Sequence, residues 1–153
     1  MIHISHDLPF PDVTDGEPCC YGYAIHGPGR CTCWRPVHDL PQRKVKPAKP
    51  AVRARCCGDC AFRPDSPERN GVEGYQNNSQ AEIDALVQGS ATFFCHQGTR
   101  RIIAYEHEPT GATIDAPPAD YDPPIMNNVP YKANGKPQDI CAGLCAARKR
   151  IGR

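Results

Sequence analysis

The sequence predicts a small, irregular, metal-stabilised α+β protein: loop-rich, with a short hairpin, a central helix and a C-terminal helix. Three observations lead there. Leu, Ile, Val and Phe supply only 25 of 153 residues, too few for a chain of this length to build an ordinary hydrophobic core. Pro and Gly supply 30 more, which commits much of the backbone to turns. Ten cysteines offer another means of holding the chain together. Low apolar content by itself would point to disorder, but disorder accompanies high net charge, and here the net charge is +1. The same near-neutrality excludes a global electrostatic signature for an acidic or basic partner.

The cysteine spacing favours metal over disulfides. Cys19-Cys20 and Cys56-Cys57 are adjacent, and one residue separates Cys31 from Cys33. Such pairs converge on one ion more readily than they bridge within themselves. The opening MIHISHDLPFPD has no basic segment followed by an apolar run, which a secretory signal requires, and no stretch approaches the length of a membrane span. The expectation is a cytoplasmic protein that contacts no membrane and keeps its thiols reduced.

Residues 1–42 predict loops around a small cysteine-rich knuckle. Residues 43–55 carry six basic residues, no acid and two prolines, and read as an extended linker or exposed arm. Its cations, Arg43, Lys44, Lys46, Lys49, Arg53 and Arg55, are candidate contacts for nucleic acid, because an extended cationic segment gains from counterion release. Residues 56–153 read as a metal-stapled α+β region. Within it, Ser66 before Pro67 and Glu68 has the form of an N-cap with a first-turn proline. Ser79 and Glu82 predict a capping box for a helix over 79–88, with Ile83, Leu86 and Val87 as its apolar stripe and Gly89 at its end. The segments 91–95 and 101–105, rich in β-branched and aromatic residues, predict a small hairpin flanking His96 to Thr99. Seven prolines between 108 and 138 predict an irregular loop there. The last helix, 139–150, takes Asp139 as N-cap and ends in Arg148, Lys149 and Arg150, which complement its dipole and join the nucleic-acid candidates.

Two constellations carry metal chemistry. Cys57-Gly-Asp-Cys60 can place two thiolates on one ion, because Gly58 permits a tight turn whose amides face the sulfurs. Cys95 and Cys141 complete the set, with Cys145 and His96 as alternates. One C-x-x-C pair and two isolated cysteines suit either Zn2+ or a [4Fe-4S] cluster. The second constellation is Cys19, Cys20, Cys31 and Cys33, expected to hold Zn2+, with His26, His38 and Cys56 as alternates. His3, His6 and His107 lie in polar surroundings and read as solvated. Thioredoxin-like use of the C-x-x-C is disfavoured because a basic, proline-bearing segment precedes it where a strand is needed.

The pieces Cys56-Cys-Gly-Asp-Cys-Ala-Phe-Arg-Pro-Asp-Ser-Pro-Glu68, Phe94-Cys-His-Gln-Gly98, Tyr121-Asp-Pro-Pro124 and Ile140-Cys-Ala-Gly143, with Cys31-Thr-Cys-Trp-Arg-Pro-Val37 more loosely, resemble a group of small uncharacterised cysteine-rich proteins of actinobacterial bacteriophages. The resemblance implies a phage protein in the cytoplasm of a bacterial host, with Cys57, Cys60, Cys95 and Cys141 as the shared ligand set. The function expected is that of an accessory factor with structural metals, binding by its cations to nucleic acid or a host transcription protein. Two alternatives stand beside it: a redox-responsive or catalytic [4Fe-4S] protein, and a structural phage component.

Overall fold

A local signal in the chain sets the start of the central helix. Ser79 accepts a hydrogen bond from the Glu82 N–H at 3.3 Å, and the Glu82 carboxylate accepts from the Ser79 N–H at 2.6 Å, closing the capping box. A computed structural model, which describes residues 10–67, 69–72, 79–118 and 120–153, shows three α-helices and two small antiparallel sheets joined by long irregular stretches. The helices are α1 (Tyr21–His26), α2 (Gln80–Gln88) and α3 (Ala142–Arg150). The strands are β1 (Trp34–His38), β2 (Ile102–His107), β3 (Thr113–Asp115), β4 (Ile125–Met126) and β5 (Val129–Pro130). The irregular α+β class expected from the composition is therefore the observed one. Among the described residues no helix is long and apolar enough to cross a membrane.

The chain divides into two units. The first joins residues 1–40 to 101–122, and the second joins 41–100 to 123–153. The expected division was 1–42, 43–55 and 56–153. In the structure the 43–55 stretch is bonded into the second unit: the Arg43 N–H donates to the Ala133 carbonyl and the Lys46 N–H to Gly135, both at 2.8 Å.

In the first unit β1, β2 and β3 form one antiparallel sheet in that order. The register sets Trp34 opposite His107 and Ala104 opposite Asp115. Trp34 is buried and stacks on Phe10 with ring centroids 5.2 Å apart. Tyr23, Cys31 and Trp34 form the buried centre, flanked by Tyr105 and Ile114. Among the described residues this is a thin core in which aromatic rings supply most of the apolar area.

In the second unit α2 and α3 pack through Ile83, Val87, Leu144 and Ala147, which share one core with Phe62 and four cysteines. β4 and β5 make a two-residue hairpin at Asn127 and Asn128, whose φ values of +51° and +62° match a type I′ turn, a conformation asparagine tolerates. This hairpin and β3 lie inside the stretch 108–138 that the prolines led us to expect as irregular throughout. Pro130 is tolerated because it ends a strand, where no ladder donor is needed.

Two local expectations change, and the N-cap expected at Ser66 is observed. The segment 91–95 pairs with 139–141 instead of 101–105: the Cys95 N–H donates to the Asp139 carbonyl and the Cys141 N–H to Phe93, each at 2.8 Å. The expected hairpin partner 101–105 instead lies largely within β2, against β1 and β3. Asp139 does not cap α3, which begins after Cys141; its carboxylate takes the Lys132 ammonium at 2.7 Å. Ser66 holds a turn, its hydroxyl accepting from the Arg69 N–H at 3.1 Å, while Glu68, like His3 and His6, lies outside the described residues.

Arg148 was a candidate for nucleic acid, but its guanidinium is used inside the fold. It donates to the carbonyls of Leu86 at 3.0 Å, Val87 at 3.3 Å and Ala91 at 2.8 Å, closing the C-terminal end of α2. Arg148→Met is expected to lower the free energy of unfolding of the metal-loaded protein by about 1–3 kcal/mol, read as a reduced urea midpoint; Arg148→Lys, which cannot span three carbonyls, should not restore it.

Candidate metal centre

Two segments of the first unit bring three thiols together, and a distant strand supplies a fourth ligand. A 3-10 turn over Pro28–Arg30 delivers Cys31 and Cys33 just ahead of β1. Cys19 precedes α1. His107 closes β2, and its pairing with Trp34 carries the imidazole to the thiols. The four ligand atoms of Cys19, Cys31, Cys33 and His107 all lie within 4.8 Å of one another and can hold a metal ion. Cys19 Sγ is 3.2 Å from Cys31 Sγ and 3.3 Å from His107 Nε2, and Cys31 Sγ is 3.6 Å from the same nitrogen. A tetrahedral zinc with bonds of about 2.3 Å to sulfur and about 2.1 Å to nitrogen sets ligand edges near 3.5–3.8 Å. The Cys31 to His107 separation matches that figure, the two separations from Cys19 are a few tenths of an ångström shorter, and Cys33 Sγ lies within 4.8 Å of the other three ligand atoms.

The surroundings prepare these groups as ligands. His107 is 1% exposed, with its ring over Trp34 at 5.1 Å. Its Nδ1 lies 2.8 Å from Thr110 Oγ1; in the tautomer that donates from Nδ1 the Nε2 lone pair faces the sulfurs, the usual arrangement behind a metal-bound imidazole. The turn that places Thr110 is closed by the Thr110 and Gly111 N–H groups donating to the His107 carbonyl. The Cys33 N–H donates to Cys31 Sγ at 3.4 Å. Burial pushes the Cys31 thiol up to about 11 and raises Cys33 as well. The bond from the Cys31 thiol favours ionisation of Cys19, but burial and the Cys33 sulfur outweigh it, so Cys19 too stands above the ordinary thiol value. Without a cation the three sulfurs hold their protons; a dication displaces them.

His107 corrects the reading that made it a solvated residue, and it takes the place expected for Cys20. Cys20 lies beside the cluster, its Sγ 3.7 Å from Cys31 Sγ. The Tyr23 and Thr32 N–H groups bring its thiol down to about 6. None of the alternates belongs to this group. His38 Nε2 is 2.6 Å from the Asp122 carboxylate, His26 is exposed in the last turn of α1, and Cys56 belongs to the second unit.

The other four expected ligands share a core, but among the described residues only Cys19, Cys31, Cys33 and His107 come together as a group that could hold a metal ion. Cys57, Cys60, Cys95 and Cys141 are all buried in the core of the second unit. Cys60 Sγ lies 3.7 Å from Cys141 Sγ. The bond from Cys60 lowers Cys141, assisted by the Leu144 and Gly143 N–H groups at the start of α3, and the same bond with burial raises Cys60. Burial and then the neighbouring Cys95 raise Cys57. Cys56, exposed by residue, has its thiol beside Cys60 and is pushed up to about 11, chiefly by burial. A side chain at Gly143 would collide with the sulfurs of Cys60 and Cys56, so only glycine lets the helix approach them. Arg53 Nη1 donates to Cys95 Sγ at 3.9 Å. The alternate His96 turns to Asp59, with 3.1 Å between Nε2 and Oδ2. Cys145 is half-buried one turn beyond Cys141.

Of the expected nucleic-acid contacts, Arg43, Lys44, Lys46, Lys49, Arg55, Lys149 and Arg150 are exposed, Arg53 is half-buried and Arg148 is the clamp described above. No family model, curated protein or solved structure matches the chain.

The centre leads to two expected outcomes. Thr110→Val should weaken metal binding about 10–100-fold in competition with a chromophoric chelator, while His107→Ala should lose more. Metal binding should release about three protons at neutral pH, one from each thiol. Because those thiols are raised, apparent affinity should climb with pH, by up to about a thousandfold per unit between pH 7 and 8.

Proposed function

We propose that this chain is a zinc-held binding protein whose metals replace missing hydrophobic core. The observation that carries the reading is the closed Cys19, Cys31, Cys33 and His107 set. Four protein ligands leave no position for water or substrate, which is the pattern of structural zinc; catalytic zinc keeps one position open. Three thiolates and an imidazole also suit zinc better than hard oxygen-seeking ions. The ligands come from opposite ends of the first unit's sequence, so one ion ties the 19–33 loops to β2.

The second unit is proposed to hold its own metal at Cys57, Cys60, Cys95 and Cys141. Main-chain amides directed at Cys60 and Cys141 favour thiolates there. A Cys60 to Cys141 separation of 3.7 Å is close to the ligand edge about one zinc ion, whereas the thiolates of a [4Fe-4S] cluster each bind a different iron. This favours zinc over the cluster, and a structural role over redox catalysis.

Metal analysis of freshly purified protein tests both parts. The expected result is a colourless protein with two equivalents of zinc, losing one in Cys31→Ser and the other in Cys141→Ser. A strong chelator should unfold it, since structural zinc contributes on the order of 10–16 kcal/mol of apparent binding energy. A brown protein that bleaches on exposure to oxygen would overturn zinc in the second unit. Unchanged metal content in Cys31→Ser would overturn the first site.

A further inference from the structure

The basic stretch 43–55 was expected as a free arm, but it is held in place. The Arg43 and Lys46 N–H groups donate to carbonyls at 133 and 135, and the Gln42 amide donates to the Lys132 carbonyl at 3.1 Å. Between the last two anchors the chain turns tightly, the Lys132 N–H donating to Lys136 and the Gly135 N–H to Lys132. Gly135 has φ +84°, and a side chain there would collide with the Lys44 carbonyl, so the arm lies directly against this turn.

This docking creates a cleft of about 340 Å³ lined by Lys46, Lys49, Lys132 and Lys136, with Asp139 as its single acid. Asp139 is taken by Lys132, and among the described residues Lys46, Lys49 and Lys136 have no ion-pair partner. Cationic stems from two separate segments, 46–49 and 132–136, therefore converge on one concavity with an uncompensated positive charge. Arg43 and Lys44, both exposed, extend the charge along the arm beyond the cleft, which suits a ligand with charges in a row better than a single small anion. Among the described residues no aromatic ring lines the cleft, so the cleft offers bases no stacking surface. Lysine serves phosphate oxygens as a point charge, whereas planar carboxylate recognition favours arginine.

We propose that this cleft binds the phosphodiester backbone of a nucleic acid, without reading its sequence. Because the backbone anchors are already made, little ordering entropy opposes binding. The proposal rests on the metal-held fold of the second unit, and metal content is therefore measured on every sample.

The test is fluorescence anisotropy of labelled single-stranded and duplex oligonucleotides with the full, zinc-replete chain. Three uncompensated lysine contacts predict that affinity falls about 20- to 40-fold between about 50 and 200 mM salt. Lys46→Gln/Lys49→Gln/Lys136→Gln should weaken binding at least about tenfold at the lower salt and flatten the log–log slope by about 2–3. The corresponding triple Lys→Arg variant should retain binding, and Lys149→Gln/Arg150→Gln should leave it unchanged. Binding that is absent, insensitive to salt, or unchanged in the triple Gln variant overturns the proposal. So does displacement by tripolyphosphate at concentrations where a polynucleotide of equal charge fails, which would mark a small-phosphate site, or equal competition by polyglutamate, which would mark an acidic protein partner. Two equivalents of zinc without nucleic-acid binding defeats the cleft alone. Binding through the cleft with zinc only in the first unit defeats the second metal site alone.

Discussion

Thiols from distant segments meet at 3.2 Å between Cys19 and Cys31 and at 3.7 Å between Cys60 and Cys141, and each unit is arranged around such an approach. Kept neutral, a buried thiol packs as a small hydrophobe and adds little. Ionised, neighbouring sulfurs repel in a medium that screens them poorly. Four of the nine residues in the described core of the second unit are cysteines, so its apolar packing is correspondingly thin. Amides directed at Cys60 and Cys141 favour charge, while burial and the adjacent sulfurs oppose it. A dication bound there, as proposed, would resolve that conflict by converting mutual repulsion into shared attraction.

Legibility in the sequence followed the range of the interaction. The start of α2 was readable because Ser79 and Glu82 lie three residues apart and act on each other. That Cys57, Cys60, Cys95 and Cys141 share one core was readable from residue type, because a chain so short of large apolar residues buries its thiols with the few it has. His107 was missed because its partnership depends on the register of β2 against Trp34, seventy-odd positions away, and register is invisible to local pattern. One signal was available: Pro109-Thr-Gly111 marks a turn, so the strand expected over 101–105 could run on to 107 and end beside it. Asp139 was misread for a related reason. Its capping propensity is real, but Lys132 offers the carboxylate an ion pair, and the Cys141 N–H is already committed to Phe93.

Charge was legible as composition and not as geometry. The run 43–55 looked like a linker because it is basic and proline-bearing, yet its amides find carbonyls at 133, 135 and 140. Docking separates its cations into different roles: Lys46 and Lys49 face a cleft completed by Lys132 and Lys136, whereas Arg53 turns towards Cys95. Arg148 divides in the same way from Lys149 and Arg150. Its long planar donor reaches three carbonyls at once, and a residue engaged that way is costly to detach for another ligand.

Ile140 shows how these features are connected within the second unit. Its N–H donates to the Ala51 carbonyl at 2.8 Å and its own carbonyl accepts from the Arg53 N–H at 3.0 Å, while it also bridges to Phe94. Immediately before it, Asp139 holds Lys132; immediately after it, Cys141 enters the thiol cluster. Three consecutive residues thus fasten the basic arm, the lysine turn and the sulfur core to one another. Drawing Cys141 away from Cys60 would shift the strand to which the arm is bonded, and the lysines of the cleft would lose the spacing that lets them act together. The thiol cluster and the cationic cleft are therefore parts of one construction, with sulfur setting the position from which charge is presented.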